Sequence, residues 1–239
     1  MPKANGQSQD FKTMPSATPE PVTIKLNDGT QVSGLLQTPD RAMACYVLAH
    51  GAGAGMHHRF MAAVAAGLAE RGVATLRYQF PYMERKSGRP DPPKVAHVAV
   101  QAAVTEAARL MPNLPLFAGG KSFGGRMTSQ AQAVSPLPGV RGLIFLGFPL
   151  HPTGKPSDER ATHLSEVEIP MLFLQGTRDE LASQPLLEGV CERLGTRATL
   201  KWWQDADHSF HVPVKSGRKD EQVLNEILDV MKGWIEQLL

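Results

Sequence analysis

The sequence predicts an α/β fold, with a mostly parallel central sheet and helices on both faces, and three observations carry that prediction. Short, near-continuous apolar runs recur along the chain, as they do in strands covered on both sides. Between them lie longer segments whose apolar residues fall at helical spacing. The two kinds of segment alternate, which is the order that a parallel sheet with crossover helices requires. At 239 residues and 42% hydrophobic content the chain is long enough for one well-buried core.

Taken in order, Val22 to Leu26 alternates apolar with polar, Asp28-Gly29 makes a turn, and Gln31 to Gln37 continues extended, so a β-hairpin opens the domain. Cys45 to Ala49 is a buried strand ending in His50-Gly51; Phe60, Val64 and Leu68 then mark a helix that Gly72 closes. Val73 to Tyr78 reads as a strand, Val95 to Met111 as an alanine-rich helix stopped by Pro112, and Leu116 to Ala118 as a strand followed by helix over Arg126 to Val134. Further strands are expected at Leu143 to Phe148, Met171 to Leu174 and Thr199 to Trp203, with a helix near Leu186 to Leu194. A closing helix carries Val223, Leu224, Ile227, Leu228, Met231, Trp234, Ile235 and Leu238 on an apolar face.

Residues 1–20, rich in Pro, Ser, Thr and Gln, read as a disordered tail, and 21–239 as one domain. The tail lacks the apolar stretch of a secretory signal, and no apolar run approaches the roughly 18 to 20 residues of a membrane span, so a cytoplasmic protein is expected. Lys and Arg number 25 against 23 for Asp and Glu, which points to neither nucleic acid nor a membrane surface as partner. Cys45 and Cys191 have neither the spacing of a metal site nor that of a redox pair.

The chemistry concentrates in Gly119-Gly120-Lys121-Ser122-Phe123-Gly124-Gly125, set between a strand and a helix. That placement lifts a serine hydroxyl clear of the sheet, and Gly120 and Gly124 fall where a β-carbon would clash. A serine needs a base, and His208, past the last strand, is the candidate; the imidazole in turn needs a carboxylate, for which Asp179 at the end of Met171 to Leu174 fits. Asp205 and Asp207 are nearer in sequence and are alternatives. Backbone amides of Ala52, or Gly53, and of Phe123 are suited to receive a developing oxyanion. Simpler readings stand beside these: a phosphate cradle for Gly51 to Gly55, a helix N-cap for Ser122, a turn residue for Asp179. His57 and His58 read as solvent-facing rather than metal ligands. Lys121 and Arg126 flank the elbow, either as solvated charges or as attractors of an anionic group.

His50-Gly51-Ala52-Gly53-Ala54-Gly55-Met56, Phe80-Pro81-Tyr82-Met83-Glu84, the glycine-flanked Ser122 segment with Arg126, and Gln175-Gly176-Thr177-Arg178-Asp179 together resemble the dienelactone-hydrolase-like part of the α/β-hydrolase superfamily. Within it, the chain is similar to a branch that includes testis-expressed and histone-acetyltransferase-complex members. The resemblance implies an α/β-hydrolase fold and hydrolysis of an ester or related acyl bond in a small-molecule substrate, without metal or organic cofactor. Dienelactone hydrolases proper use cysteine where this chain has Ser122. The complex subunits imply that some members act as interaction modules, and the same three residue types serve acyltransferases and thioesterases. About twenty residues between Phe148 and Pro170 are too few for a full cap, so a minimal or absent lid and an open, shallow site lined by Tyr82, Phe123, Phe148 and His151 are expected. Oligomeric state is not legible.

Overall fold

The computed structural model describes residues 17–239; residues 1–16 of the expected tail lie outside the described residues. The chain forms an eight-stranded sheet in the order β1-β2-β4-β3-β5-β6-β7-β8. Strand β1 (Glu20–Lys25) pairs antiparallel with β2 (Gln31–Gln37) around a turn in which the Thr30 amide and hydroxyl both donate to Asp28 Oδ1, at 2.9 and 2.6 Å. Strand β2 also runs antiparallel to β4 (Val73–Tyr78). From there β3 (Ala44–Ala49), β5 (Leu116–Lys121), β6 (Val140–Leu146), β7 (Met171–Gly176) and β8 (Ala198–Trp203) are all parallel.

The parallel strands read as continuous apolar runs because each is buried on both faces, and the two-residue period divides their side chains between two cores. In β3, Cys45, Val47 and Ala49 join one core, while Ala44, Tyr46 and Leu48 join the other. Met171 and Phe173 of β7 likewise oppose Leu172 and Leu174. Helices α1 (Arg59–Glu70) and α6 (Asp220–Glu236) cover one face through Met61, Val64, Leu68, Ile227 and Met231. The other face is covered by α3 (Pro93–Leu110), α4 (Phe123–Val134) and α5 (Gln184–Leu194), while α2 (Pro81–Glu84) is a single turn after β4.

Several boundaries differ from the sequence expectation for local reasons. The strand expected to reach Phe148 stops at Leu146, because Gly147 turns the chain at φ +73°. The helix expected from Arg126 begins at Phe123, directly after Ser122. The span from Phe148 to Pro170 is a loop followed by a 3-10 segment, Glu159–Glu166, packed on α4. No described helix is long and apolar enough to cross a membrane.

The β5–α4 turn is crowded by the end of β3. A β-carbon on Gly120 would lie 2.1 Å from the Ala49 carbonyl oxygen, and one on Gly124 would lie 2.6 Å from the carbonyl oxygens of both Ala49 and His50. Gly124→Ala should therefore cost about 3 kcal/mol, since backbone must move to admit the methyl. Gly53→Ala, with nothing within 4 Å of the new carbon, serves as the control and should cost far less. Urea denaturation of the two variants checks this, and equal stabilities would contradict it.

Candidate active site

Three loops meet at the carboxyl ends of the parallel strands. Ser122 sits between β5 and α4 with φ 49° and ψ −115°, a conformation a residue with a β-carbon adopts only when its surroundings force it. Its amide donates to the Leu146 carbonyl at 3.2 Å, and its carbonyl accepts from the Arg126 amide at 3.1 Å, so strand β6 and the first turn of α4 together hold the bend.

Asp179 follows β7, and its carboxylate is fully buried. One oxygen, Oδ1, accepts the Leu181 amide at 2.8 Å; the other, Oδ2, accepts the Gln175 side-chain amide at 2.5 Å and lies 2.7 Å from His208 Nδ1. A carboxylate facing Nδ1 requires the proton on that nitrogen, which leaves Nε2 as the acceptor. Among the described residues no protein group engages His208 Nε2 or the Ser122 hydroxyl. The His208 ring is placed over Gly147, where a β-carbon would come within 3.3 Å of its Cε1 and Nδ1 and 2.9 Å of Lys121 Nζ. His208 thus stands beside the residue after Leu146, the partner of the Ser122 amide.

The histidine and aspartate loops are stitched together by backbone. Thr177 and Arg178 donate to the carbonyls of Trp203 and Ala206, at 3.0 and 2.9 Å, and the Thr177 hydroxyl accepts the Asp205 amide at 2.8 Å. Asp205 and Asp207, the sequence alternatives to Asp179, have other partners. The Asp207 carboxylate accepts the amides of Ser209 and His211, at 2.7 and 2.9 Å, and so shapes the loop itself. Lys121 ties the loop to the elbow by donating to the His208 carbonyl at 2.6 Å, with its ammonium 5.7 Å from the Phe210 ring centre. Burial pushes the Lys121 ammonium down to about 8, against the pull of the Asp179 and Asp207 carboxylates.

The glycine loop after β3 lies on the opposite side of Ser122. A β-carbon on Gly51 would come 3.8 Å from Ser122 Cβ. Two side chains hold the loop. Tyr82, fully buried against Phe80 and Phe123, donates its hydroxyl to the Ala52 carbonyl at 2.8 Å. Buried His50 donates from Nδ1 to the Gly51 carbonyl at 2.8 Å and accepts the Phe80 amide at Nε2 at 3.0 Å. Both bonds use the neutral ring, and burial brings its pKa down to about 4. The Ala52 and Phe123 amides donate to no protein acceptor among the described residues.

Of the residues expected to line the site, Tyr82 is an anchor for the glycine loop. Phe148 is buried, packed edge-on against Phe145 and Phe173, with its amide donating to Gln175 Oε1 at 2.8 Å. His151 is buried too, with Nδ1 donating to the Pro152 carbonyl at 2.9 Å and Nε2 accepting the Ser183 amide at 3.2 Å. An open cleft of about 670 Å³ adjoins the site through Gly51 and Lys121, walled by Phe60, Phe210 and Leu224. Gln175 is the residue sequence reasoning missed: one side chain joins the Phe148 amide to the Asp179 carboxylate. Its only signal is an amide side chain at the end of an otherwise apolar strand.

Gln175→Leu leaves the buried Phe148 amide unpaired and strips one donor from Asp179, so it should cost about 2 kcal/mol in urea denaturation; wild-type stability in this variant would contradict the bridging role. His50 gives a pH dependence. An unfolded histidine takes up its proton near pH 6.5 whereas folded His50 does so only near 4. The unfolded state therefore binds more protons between those values. The stability His50 contributes is complete above pH 6.5 and is lost as pH falls toward 4, by up to about 3 kcal/mol. His163, also brought down to about 4 by burial, acts in the same window. Stability measured across that range should fall less steeply in His50→Gln; an unchanged slope would show that His50 is not held neutral.

The family described as alpha/beta hydrolase domain matches residues 42–236. Solved structures share the fold at low identity. A dienelactone hydrolase from Anabaena variabilis superposes with a TM-score of 0.75 at 21% identity, covering 94% of this chain and 99% of that one. A lidless α/β serine hydrolase from Xanthomonas campestris gives 0.70 at 21% identity, covering 90% and 94%. The esterase domain of a Rhodothermus marinus protein gives 0.71 at 14% identity, covering 92% and 98%. With its family match spanning most of the sequence and an eight-stranded, mostly parallel sheet flanked by helices, the chain belongs to the α/β-hydrolase family.

Proposed function

We propose that this hydrolase acts on carboxylic esters or related acyl bonds by a two-step serine mechanism, with Ser122 as nucleophile, His208 as general base and Asp179 as the residue that orients it. The observation that carries the reading is the buried Asp179 carboxylate 2.7 Å from His208 Nδ1, on a loop stitched to that of the histidine and beside the strained Ser122 turn. A buried carboxylate bonded to one imidazole nitrogen fixes the ring's tautomer and orientation and leaves the other nitrogen as the acceptor.

In the proposed reaction the Ser122 oxygen attacks the acyl carbon as its proton passes to His208 Nε2, and Asp179 stabilises the imidazolium that results. The oxyanion is received by the amides of Phe123 and Ala52, or Gly53 in place of Ala52. The Ala52 and Phe123 amides have no protein acceptor among the described residues, and Tyr82 and His50 hold the loop that bears the first. His208 then returns the proton to the leaving group. Water, activated by the same nitrogen, cleaves the acyl-enzyme and restores Ser122. The absence of a Ser122–His208 hydrogen bond before substrate arrives is compatible with this, because such contacts tighten in the substrate complex. All the groups used are side chains and amides, so the reaction needs no cofactor.

The open cleft walled by Phe60 and Phe210 would receive the apolar part of a small-molecule substrate, with Tyr82, Phe148 and His151 acting through the loops they hold. We place the protein in the cytoplasm, a setting compatible with its free thiols at Cys45 and Cys191. Its four motif stretches also favour the branch with testis-expressed and histone-acetyltransferase-complex members.

Hydrolysis of p-nitrophenyl butyrate tests the proposal. Ser122→Ala should abolish turnover without loss of folding, and Asp179→Asn should lower kcat by about 10³ to 10⁴ by misorienting the imidazole. Full activity in folded Ser122→Ala would overturn the assignment. Transfer of the acyl group to an added thiol or alcohol in preference to water would instead identify an acyltransferase.

A further inference from the structure

Among the described arginines that are buried or half-buried, most have an evident partner. Arg71 meets Asp229 and Arg218 meets Glu226, while Arg77 and Arg197 donate to the carbonyls of Met56 and Val167. Arg126 and Arg160 are the exceptions: each is half-buried, and neither has an acidic or carbonyl partner among the described residues. In Arg126, Nε is buried with no hydrogen bond at all. Burial, and then the charge of Arg160, lower the Arg126 pKa, so the two guanidinium groups repel each other in partly desolvated surroundings.

Their surroundings offer nothing to offset that cost. Arg126 lies on the first turn of α4, and Arg160 lies on the 3-10 segment Glu159–Glu166 packed against that helix. His163, on the same segment, lies with Nε2 2.7 Å from the Ser129 hydroxyl; burial first, then the charge of Arg126, hold it neutral. His97 reaches toward Gln130 at 3.4 Å. A half-buried arginine pair facing neutral groups is a poor structural device, because a desolvated charge without a partner is costly. It is a fitting device for a ligand that brings the missing charge.

Position identifies the ligand's place. Arg126 follows Ser122 by four residues, about 6 Å of helix rise, on the first turn of the helix that begins directly after the Ser122 turn. We propose that Arg126 and Arg160 form an anion subsite for a carboxylate on the substrate, so that the natural substrate is an acyl compound with a free carboxylate near its scissile bond. The planar guanidinium fork matches a carboxylate in two parallel hydrogen bonds. The link to the scissile bond rests on Ser122 being the nucleophile; the anion subsite itself does not.

The test compares mono-p-nitrophenyl adipate with p-nitrophenyl hexanoate, which share a six-carbon acyl chain and differ by a terminal carboxylate. Wild type should favour the adipate in kcat/KM, and Arg126→Met and Arg160→Met should each reduce the adipate-to-hexanoate ratio by about tenfold or more. A folding defect would lower both substrates alike and leave the ratio unchanged, which would overturn the proposal. Calorimetric titration with adipate separates the subsite from the reactive serine. Adipate binding to wild type that is lost in both variants, without hydrolysis of either ester, would support the subsite and count against Ser122 as nucleophile. No binding of millimolar adipate to the folded wild-type protein would overturn the subsite whatever the esters show.

Discussion

The turn between β5 and α4 has room for hydrogen and not for carbon at Gly120 and Gly124, where the carbonyl oxygens at the end of β3 press against the backbone. That steric constraint shapes the rest of the site. It lets α4 start directly after the strand, forces Ser122 into a conformation that extended strands and helices avoid, and brings the glycine loop after β3 within van der Waals reach of Ser122. Packing on both faces of the sheet supplies the stability that a strained residue consumes. The strain sits at the residue for which the proposed chemistry needs an exposed oxygen.

Around that turn the loops are held by polar groups with few free valences. Gln175 uses its carbonyl on the Phe148 amide and its NH₂ on Asp179; Asp179 passes the connection to His208; and Lys121 closes the circuit from the histidine carbonyl back to the elbow. On the other side His50 and Tyr82 hold the carbonyls of Gly51 and Ala52. In both places the carbonyl or carboxylate is occupied, while the atoms that the reaction would use, His208 Nε2 and the amides of Ala52 and Phe123, have no protein partner among the described residues. Arg126 and Arg160 extend the pattern to a charge whose partner would be the substrate.

The sheet was legible because parallel strands buried on both faces carry little but apolar residues, and the elbow because two glycines flank a serine between a strand and a helix. What sequence could not supply depends on contacts between distant segments. Phe148 and His151 read as pocket lining from their place after β6, yet Phe148 is packed among Phe145 and Phe173 and both nitrogens of His151 are bonded to backbone. Gln175 looks like a strand terminus until Phe148 and Asp179 are seen on either side of it. The single turn of α2 is too short to show a helical period, and the unpaired state of Arg126 is visible only once every described carboxylate has been placed.

Whether the fold activates one serine is read by covalent labelling with a fluorophosphonate probe, located by peptide mass spectrometry in wild type, His208→Gln and Ser122→Ala. The expected result is a single adduct on Ser122 that forms much more slowly in His208→Gln and is absent in Ser122→Ala. A folded protein that takes up no probe at Ser122, or labels there at a rate independent of the histidine, would contradict it and would favour a non-catalytic role for this hydrolase fold.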